Sequence, residues 1–533
     1  MIHLSRRDFA LGLGAGIAAA RFGTARAATT PRRGGTLIAT WGGLEPQALF
    51  VPAGGGSSPL LTSSKMLERL ARMNFDFTFS PALATSWSIS PDHTEYTLEL
   101  RPNVVWHDGQ PFGADDVVFS VAEFWRPISS GEAWKQLESV EAKGPLTVHI
   151  RFKQPVPEFF FFSALTNQGG AVLPKHIYAG RDIITNPANN QVTGTGPWRF
   201  DKWVRGSHIE MVRNEHYWNP ALPYLDRLIF RYLRSPAERA AAMEAGEIQL
   251  GVFNTLSPPD TKRLAATGKF DVTPKGYENA QWFLTIEMNT RNPIFAKREV
   301  RQALLYAIDK KFIAETIFYG FAKPAVSPIA SANAMFFSPD MPHYPFDPKK
   351  AAAMLDAAGF PKKANGKRFS ANLLAAGWFE VNGNIGSYVK QCLSDIGIDV
   401  NLTVPDRPTS IKRIYTDYDY DIALSNWANP AEPVPTTTQF YTTSGIIKGA
   451  AFRNATGFSD KAMDDLVDKL TFEVDPAKRQ LLARDFARLA MTEVPISPLV
   501  EIESVTVANK RVHNHSDSPD YMADSWGDLW LDT

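Results

Sequence analysis

The chain is poor in cysteine. Cys392 is its one thiol among 533 residues, so no intramolecular disulfide can form and no thiolate cluster can hold zinc or iron–sulfur. It also lacks a charge of one sign: 56 Lys and Arg stand against 56 Asp and Glu. With no long basic run, the class of nucleic-acid binders that neutralise phosphates drops away. No fixed-period repeat is present, which excludes solenoids and propellers. Past residue 28 no apolar run reaches the roughly 20 residues of a membrane helix. What is present is ordinary globular composition, 44% hydrophobic and 21% charged, at a length that suits two or three domains. Rings are plentiful, with 13 Trp, 34 Phe and 15 Tyr, and position must separate those that fill cores from those that line sites.

Arg6 and Arg7 precede an apolar stretch from Phe9 to Ala20, and Thr24-Ala25-Arg26-Ala27 places small residues where a signal peptidase cuts. Residues 1–27 therefore predict a Tat-like export signal, with Ala10-Leu11 departing from the usual ending of the twin-arginine motif. Removing Arg6, Arg7, Arg21, Arg26 and Asp8 with it leaves a mature chain of net charge about −3. Gly12-Leu13-Gly14-Ala15-Gly16 has no strand before it and carries no dinucleotide reading.

In the mature chain Thr36 to Trp41 predicts a strand, and Gly54 to Ser58 a loop leading into a helix from Leu60 to Met73. Tyr96, Leu98 and Leu100 alternate with polar residues, as do Val148, Ile150 and Phe152, which turns His149 outward. Residues 114–125 predict a helix with an acidic start, and Leu228 to Leu233 and Trp282 to Met288 interior strands. Val300, Leu304, Ala307 and Ile308 share one face of a helix predicted from Arg298 to Tyr319. Asp347-Pro348 and Asp475-Pro476 each supply a cap and a first-turn proline. Strand and helix alternate throughout, which predicts α/β architecture.

Pro81-Ala82-Leu83-Ala84-Thr85-Ser86-Trp87, Tyr96 to Arg101, and Trp106-His107-Asp108-Gly109-Gln110-Pro111-Phe112 running on to Val118 form one block. Gly194-Thr195-Gly196-Pro197-Trp198 with Arg213-Asn214-Glu215-His216-Tyr217-Trp218, Val300 to Asp309, and Asp347 to Ala351 with Ala358-Gly359-Phe360 follow it in order. In these stretches the chain resembles the family 5 extracellular solute-binding proteins of ABC importers, peptide-binding type, over nearly all of its mature length. The resemblance implies an α/β, bilobed periplasmic-binding-protein fold of type II, large peptide-binding subclass, with an inserted subdomain in the first lobe. It implies a first lobe from residues 28–60, 192–278 and 497–533, a subdomain at 61–191 and a second lobe at 279–496, with crossings near Glu278 to Gln281 and Val494 to Ser497. It further implies a periplasmic monomer that binds a small molecule or peptide and delivers it to a membrane permease, with no catalytic residue, cofactor, metal or nucleic acid.

Two other classes use the same composition. A periplasmic hydrolase needs a paired acid and base, yet neither Gly-x-Ser-x-Gly nor His-Glu-x-x-His occurs. A free-standing receptor differs only in its partner. Ser387-Tyr388-Val389-Lys390 lacks the companions of acyl-serine enzymes, Gly194 to Pro197 lacks the Lys-Ser/Thr of a phosphate loop, and His513-Asn514-His515 supplies half a metal site. Asp417, Asp419 and Asp421 lack the glycine and distal glutamate of a calcium loop.

For the ligand site, Trp282, Trp378 and Trp427 lie at or near the ends of predicted second-lobe strands, where α/β domains meet their ligands. Asn426-Trp427-Ala428-Asn429-Pro430-Ala431-Glu432-Pro433 resembles the family's ligand-facing loop. There Asn429 stands where peptide-binding members carry an aspartate for the peptide ammonium. Ala375 to Glu380 offers no base for a carboxylate and adds an acid. The expected ligand-binding set is Trp427, Asn429, Glu432, Asn426, Trp378, Glu380 and Trp282, for a sugar-like, opine-like or cationic compound or a longer peptide gripped mainly by its backbone, rather than a dipeptide held by both charged ends, with Arg407 and Lys412 as unplaced candidates for an anion contact.

Overall fold

The computed structural model describes residues 30–42, 45–50, 57–128, 132–379 and 381–532. The export signal, the glycines 54–56 and Glu380 lie outside the described residues.

Alternating apolar residues build two large sheets. The first has seven strands in the order Phe270–Thr273, Thr506–Asn509, Leu250–Val252, Thr36–Trp41, Arg227–Arg231, His208–Arg213 and Trp198–Val204. Its centre is parallel: Thr36 faces Arg227, and Ala39 faces Leu250. The second has six, in the order Ala322–Pro324, Ile496–Ile502, Ala280–Met288, Ile422–Pro430, Ser370–Ala375 and Asp399–Thr403. Here Ser370–Ala375 runs parallel to both neighbours. A separate four-stranded antiparallel sheet, Ala84–Ile89, Glu95–Leu100, Thr147–Phe152 and Leu137–Gly144, lies between the first two strands of the seven-stranded sheet in the chain.

Several expectations shift. Ile496–Ile502 belongs to the six-stranded sheet, where Glu501 faces Phe283, so the chain leaves that sheet after Ile502 and not near Ser497. Seven consecutive buried residues fit an interior strand with both faces covered. The helix drawn from Leu60 to Met73 is Ser57–Met66, and Ala71–Met73 pairs as a strand with Phe79–Pro81. The helix drawn from Arg298 to Tyr319 ends at Tyr306 and restarts because the Asp309 carboxylate accepts from the amides of Lys311 and Phe312.

The motif residues are fold makers. A Cβ at Gly194 would stand 1.8 Å from the Met66 carbonyl oxygen, so only glycine allows this loop to lie against the helix end. His107 ties the same loop twice, through the Gly194 amide on Nδ1 (3.1 Å) and the Gly196 carbonyl at Nε2 (3.0 Å). That pattern needs the neutral ring with its proton on Nε2, and burial pushes its pKa down to about 4. Asp116 accepts from Trp106 Nε1 and from the amides of Gly113 and Lys175.

Candidate functional site

Leu250–Val252 of the first sheet, and Ala280–Met288 and Ser370–Ala375 of the second, each have an aromatic residue at or near one end, Phe253, Trp282 and Phe379, and these rings meet. Beyond Val252, Phe253 and Asn254 both take left-handed backbone angles, φ 57° and 51°. Asn favours that region and Phe does not. The turn is held by Val505, which donates to Asn254 Oδ1 (2.9 Å), and by the Phe253 amide, which donates to the Tyr277 hydroxyl (2.8 Å). Burial raises the Tyr277 hydroxyl to about 12. The strained turn aims the Phe253 ring out of the seven-stranded sheet.

That ring meets Trp282 of the six-stranded sheet at 5.6 Å between centroids, and Trp282 meets Phe379 edge-on at 5.7 Å. Trp282 and both phenylalanines are half-buried. Next in the chain to Phe379, Trp378 is half-buried and packs on Phe452 (5.7 Å), and its indole N–H is enclosed without a partner among the described residues. Gly377 is exposed and brings the backbone so close to Pro405 that a Cβ would sit 2.1 Å from its carbonyl oxygen. The arrangement is an aromatic seam between two sheets, suited to apolar and ring-shaped groups.

Two of the sequence-predicted residues, Trp282 and Trp378, are therefore brought to the strand ends. Four are turned inward. Trp427 is 3% exposed, stacked on Phe440 at 4.4 Å and edge-on to Phe283. Trp282 faces Ala428 across the strand pair, so strand alternation puts Trp427 on the opposite face. Asn429 is 1% exposed with its amide fully used, accepting from Ala330 N and donating to the Pro328 carbonyl and Thr437 hydroxyl, each at 2.8 Å. Glu432 makes a buried two-pronged pair with Arg479 at 2.7 and 2.8 Å and accepts from the Val434 amide. Asn426 accepts from Asn382 (2.7 Å) inside the sheet. Asn429 and Glu432 thus hold the loop through their own partners. Lys412 pairs with Asp417, and Arg407 is exposed on a short helix.

Two further residues of this region had no sequence signal. Phe253 and Phe379 differ from core phenylalanines only through backbone geometry. Arg69 sits between Ser57–Met66 and Ala71–Met73, where its spacing with Glu68 and Arg72 imitates a solvated helix face. It is half-buried, and among the described residues no hydrogen bond and no ion pair engages its guanidinium. Burial pulls its pKa down, against the pull of Asp520 and Asp524. Asp520 is itself pushed up by burial, with Arg69 and the Asn279 side chain opposing, and Asn279 opens the strand Ala280–Met288.

The other motifs are structural. Ser387 donates to the Gly383 carbonyl within its helix, and His513 stacks on Trp530 and pairs with Asp532. Asp417 and Asp419 pair with Lys412 and Arg413, and Asp421 accepts from Asn292 and the Asn372 amide. Among the described residues no group of three His, Cys, Asp or Glu can hold a metal, and no helix is long and apolar enough to cross a membrane.

Residues 78–448 match the family model of the bacterial extracellular solute-binding proteins, family 5, middle region. The glutathione-binding protein GsiB of Escherichia coli strain K12 is 27% identical over 459 residues, covering 82% of this chain and 83% of that protein. Among solved structures, NikA from Brucella suis in complex with Fe(III)-EDTA superposes with a TM-score of 0.79 at 25% identity, over 93% of this chain and all of that one. The oligopeptide-binding protein AppA from Bacillus subtilis, in complex with a nonapeptide, shares the fold with a TM-score of 0.79 at 23% identity, over 95% of this chain and all of that one. The two sheets are those of a bilobed type II periplasmic binding fold, and the chain belongs to the bacterial extracellular solute-binding proteins, family 5, the solute-capturing components of ABC importers.

Proposed function

We propose that this protein captures a peptide-like or other small polar solute between its two lobes and delivers it to an ABC importer permease, as an exported periplasmic monomer without a catalytic group. The seven-stranded sheet is the core of the first lobe and the six-stranded sheet that of the second. The chain crosses between them at residues 274–279 and again at 503–505, with residues 61–191 forming the inserted subdomain. The observation that carries this reading is the ring sequence Phe253–Trp282–Phe379, which spans the two sheets at their strand ends. A solute placed there touches both lobes at once, so its binding energy shifts the equilibrium toward a closed form that a permease can distinguish. Glutathione, bound by GsiB, and the nonapeptide bound by AppA are relatives' ligands of the peptide class. Trp282 and Trp378 supply the stacking surface in this reading, and Glu380 remains a candidate for a polar contact.

The test is mass spectrometry of solutes released from the purified mature protein by denaturation, followed by rebinding to the refolded protein. A solute that returns chemically unchanged and quenches tryptophan fluorescence supports a carrier. Conversion of the solute during incubation contradicts it.

A further inference from the structure

Phe253 holds a left-handed backbone angle that a bulky side chain strongly avoids. A residue held so persists only where its surroundings over-determine it, and such residues gather at clamps and switches. The surroundings here are specific. The Thr255 hydroxyl closes the turn on the Val252 carbonyl (2.6 Å). Asn254 exchanges two bonds with Val505, giving its amide to the Val505 carbonyl (3.2 Å) and taking the Val505 amide on Oδ1 (2.9 Å). The Tyr277 hydroxyl that receives the Phe253 amide also meets Thr506 Oγ1 at 2.8 Å. Gly42 leaves room for the turn, since a Cβ there would lie 2.9 Å from the Asn254 carbonyl oxygen and 3.2 Å from that of Phe253.

Val505 and Tyr277 belong to the two crossings between the sheets, and each crossing is short between its anchors. Beyond Ile502 the Glu503 amide still donates to the Phe321 carbonyl (3.0 Å), next to the edge strand Ala322–Pro324 of the six-stranded sheet, while Val505 is already bound to Asn254. Ser504 is the one residue between them. In the other crossing the Asn279 amide donates to the Pro519 carbonyl (2.9 Å) of the C-terminal stretch, and the next residue, Ala280, pairs with Pro430 in the six-stranded sheet. The turn is therefore pinned to both crossings. Its ring reaches past them to Trp282, the third residue of the strand Ala280–Met288, and Phe379 backs Trp282 from within the same half of the molecule.

We propose that Phe253 is an interlobe latch: a ring fixed to the first lobe at the crossings, which grips Trp282 of the second lobe and favours the closed arrangement before a solute arrives. The proposal rests on the reading of the two sheets as separate lobes. Backbone strain at Phe253 sets the aim of the ring, and the ring contact opposes opening. Near the pivots rotation moves the contact least. Even so, a gap of roughly 0.5–1 Å loses a quarter to a half of a dispersion contact, so the latch resists the first degrees of opening. A solute then meets lobes that already visit the closed form, and its apparent affinity is set in part by how often they do.

The experiment measures the distance between two nitroxide labels by double electron–electron resonance in the mature protein, freed of solute by unfolding and refolding. The labels sit on Lys262→Cys, exposed on the first-lobe helix Pro258–Ala266, and on Asp468→Cys, exposed on the second-lobe helix Lys461–Phe472, with Cys392→Ala as background. Otherwise unaltered, this protein should populate the distance set by this structure. Phe253→Asn and Trp282→Ala should each lower the ratio of that distance to all others by a factor of about 3–10, the range an aromatic pair contributes. Combined, they should lower it no further than the stronger of the two, because both remove one contact. Phe253→Asn should also melt no lower than Phe253→Ala, since asparagine accepts the left-handed angle and alanine does not. Effects that add in the double variant, or a melting temperature that falls further in Phe253→Asn than in Phe253→Ala, make Phe253 ordinary packing and overturn the latch. Distances unchanged in both single variants but broadened by Asn279→Gly with Ser504→Gly, which loosens both crossings, keep the two lobes and reject the latch. Distances that this last variant also leaves unchanged reject the reading of two lobes itself.

Discussion

Arg479 and Arg69 are two arginines drawn into the protein, and they are treated in opposite ways. Arg479 is 3% exposed and closed on both sides: Glu432 takes its fork in two bonds, the Leu470 carbonyl accepts from Nε, and the Phe336 ring lies 5.3 Å away. Arg69 keeps solvent access and has no acceptor among the described residues. A fully buried charge needs a full set of partners, while one that keeps solvent access does not. Glu287 is a third case. It is fully buried on the strand Ala280–Met288 of the six-stranded sheet, with Ser425 on one carboxylate oxygen and, among the described residues, nothing on the other. Burial pushes its pKa up to about 7, so it keeps its proton to a higher pH than an exposed carboxyl.

Breaking the matched pair should have the largest effect. Glu432→Gln leaves Arg479 buried and uncompensated, and is expected to cost about 3–5 kcal/mol of stability, read by denaturant unfolding. Molecules that remain folded should bind solute with unchanged affinity. Trp427→Ala belongs to the same interior and is expected to lose about 3–5 kcal/mol through the cavity it leaves, again without loss of affinity at a temperature where the variant is folded.

Glu287→Gln sharpens the contrast through pH. A carboxyl raised from 4.5 to about 7 contributes stability that is fully present below pH 4.5 and is lost as pH rises to about 7. The glutamine keeps the shape of the protonated acid. Unfolding measured at intervals from pH 4.5 to 8 should therefore show a flatter profile, with the variant more stable than wild type at pH 8, by about 2–3 kcal/mol. A profile parallel to wild type rejects the raised pKa.

Trp282→Ala should do the reverse of Trp427→Ala. Stability should change little, because the ring is half-buried, while solute affinity should fall by about 2 kcal/mol, roughly thirtyfold, in calorimetry.

These two tryptophans also mark how far the fold and the site were legible in the sequence. Local chemistry wrote the caps plainly: the Asp347 and Asp475 side chains accept from the amides of Lys350 and Lys478, and Gly359, at φ 93°, ends its helix. Strands such as Thr36–Trp41 and Glu95–Leu100 followed from alternation, and the ordered motifs carried the family. The site was harder because it depends on pairings far apart in sequence. Trp282 and Trp427 both stand near strand ends, and only the register of Ala280–Met288 on Ile422–Pro430 assigns them to opposite faces. Nothing local to Asn429 or Glu432 announces Pro328, Ala330 or Arg479 as partners. Arg69 was hidden for the opposite reason, since its neighbours imitate a helix that stops at Met66.

The most direct measurement is a crystal structure of the mature protein with the solute it carries from the cell. The account predicts density between the two sheets, with the solute in van der Waals contact with Trp282 and Phe253 or Phe379, while the Glu432–Arg479 pair and the Asn429 amide bonds stay intact. Solute found against Trp427, Asn429 and Glu432, with those bonds broken, would contradict it.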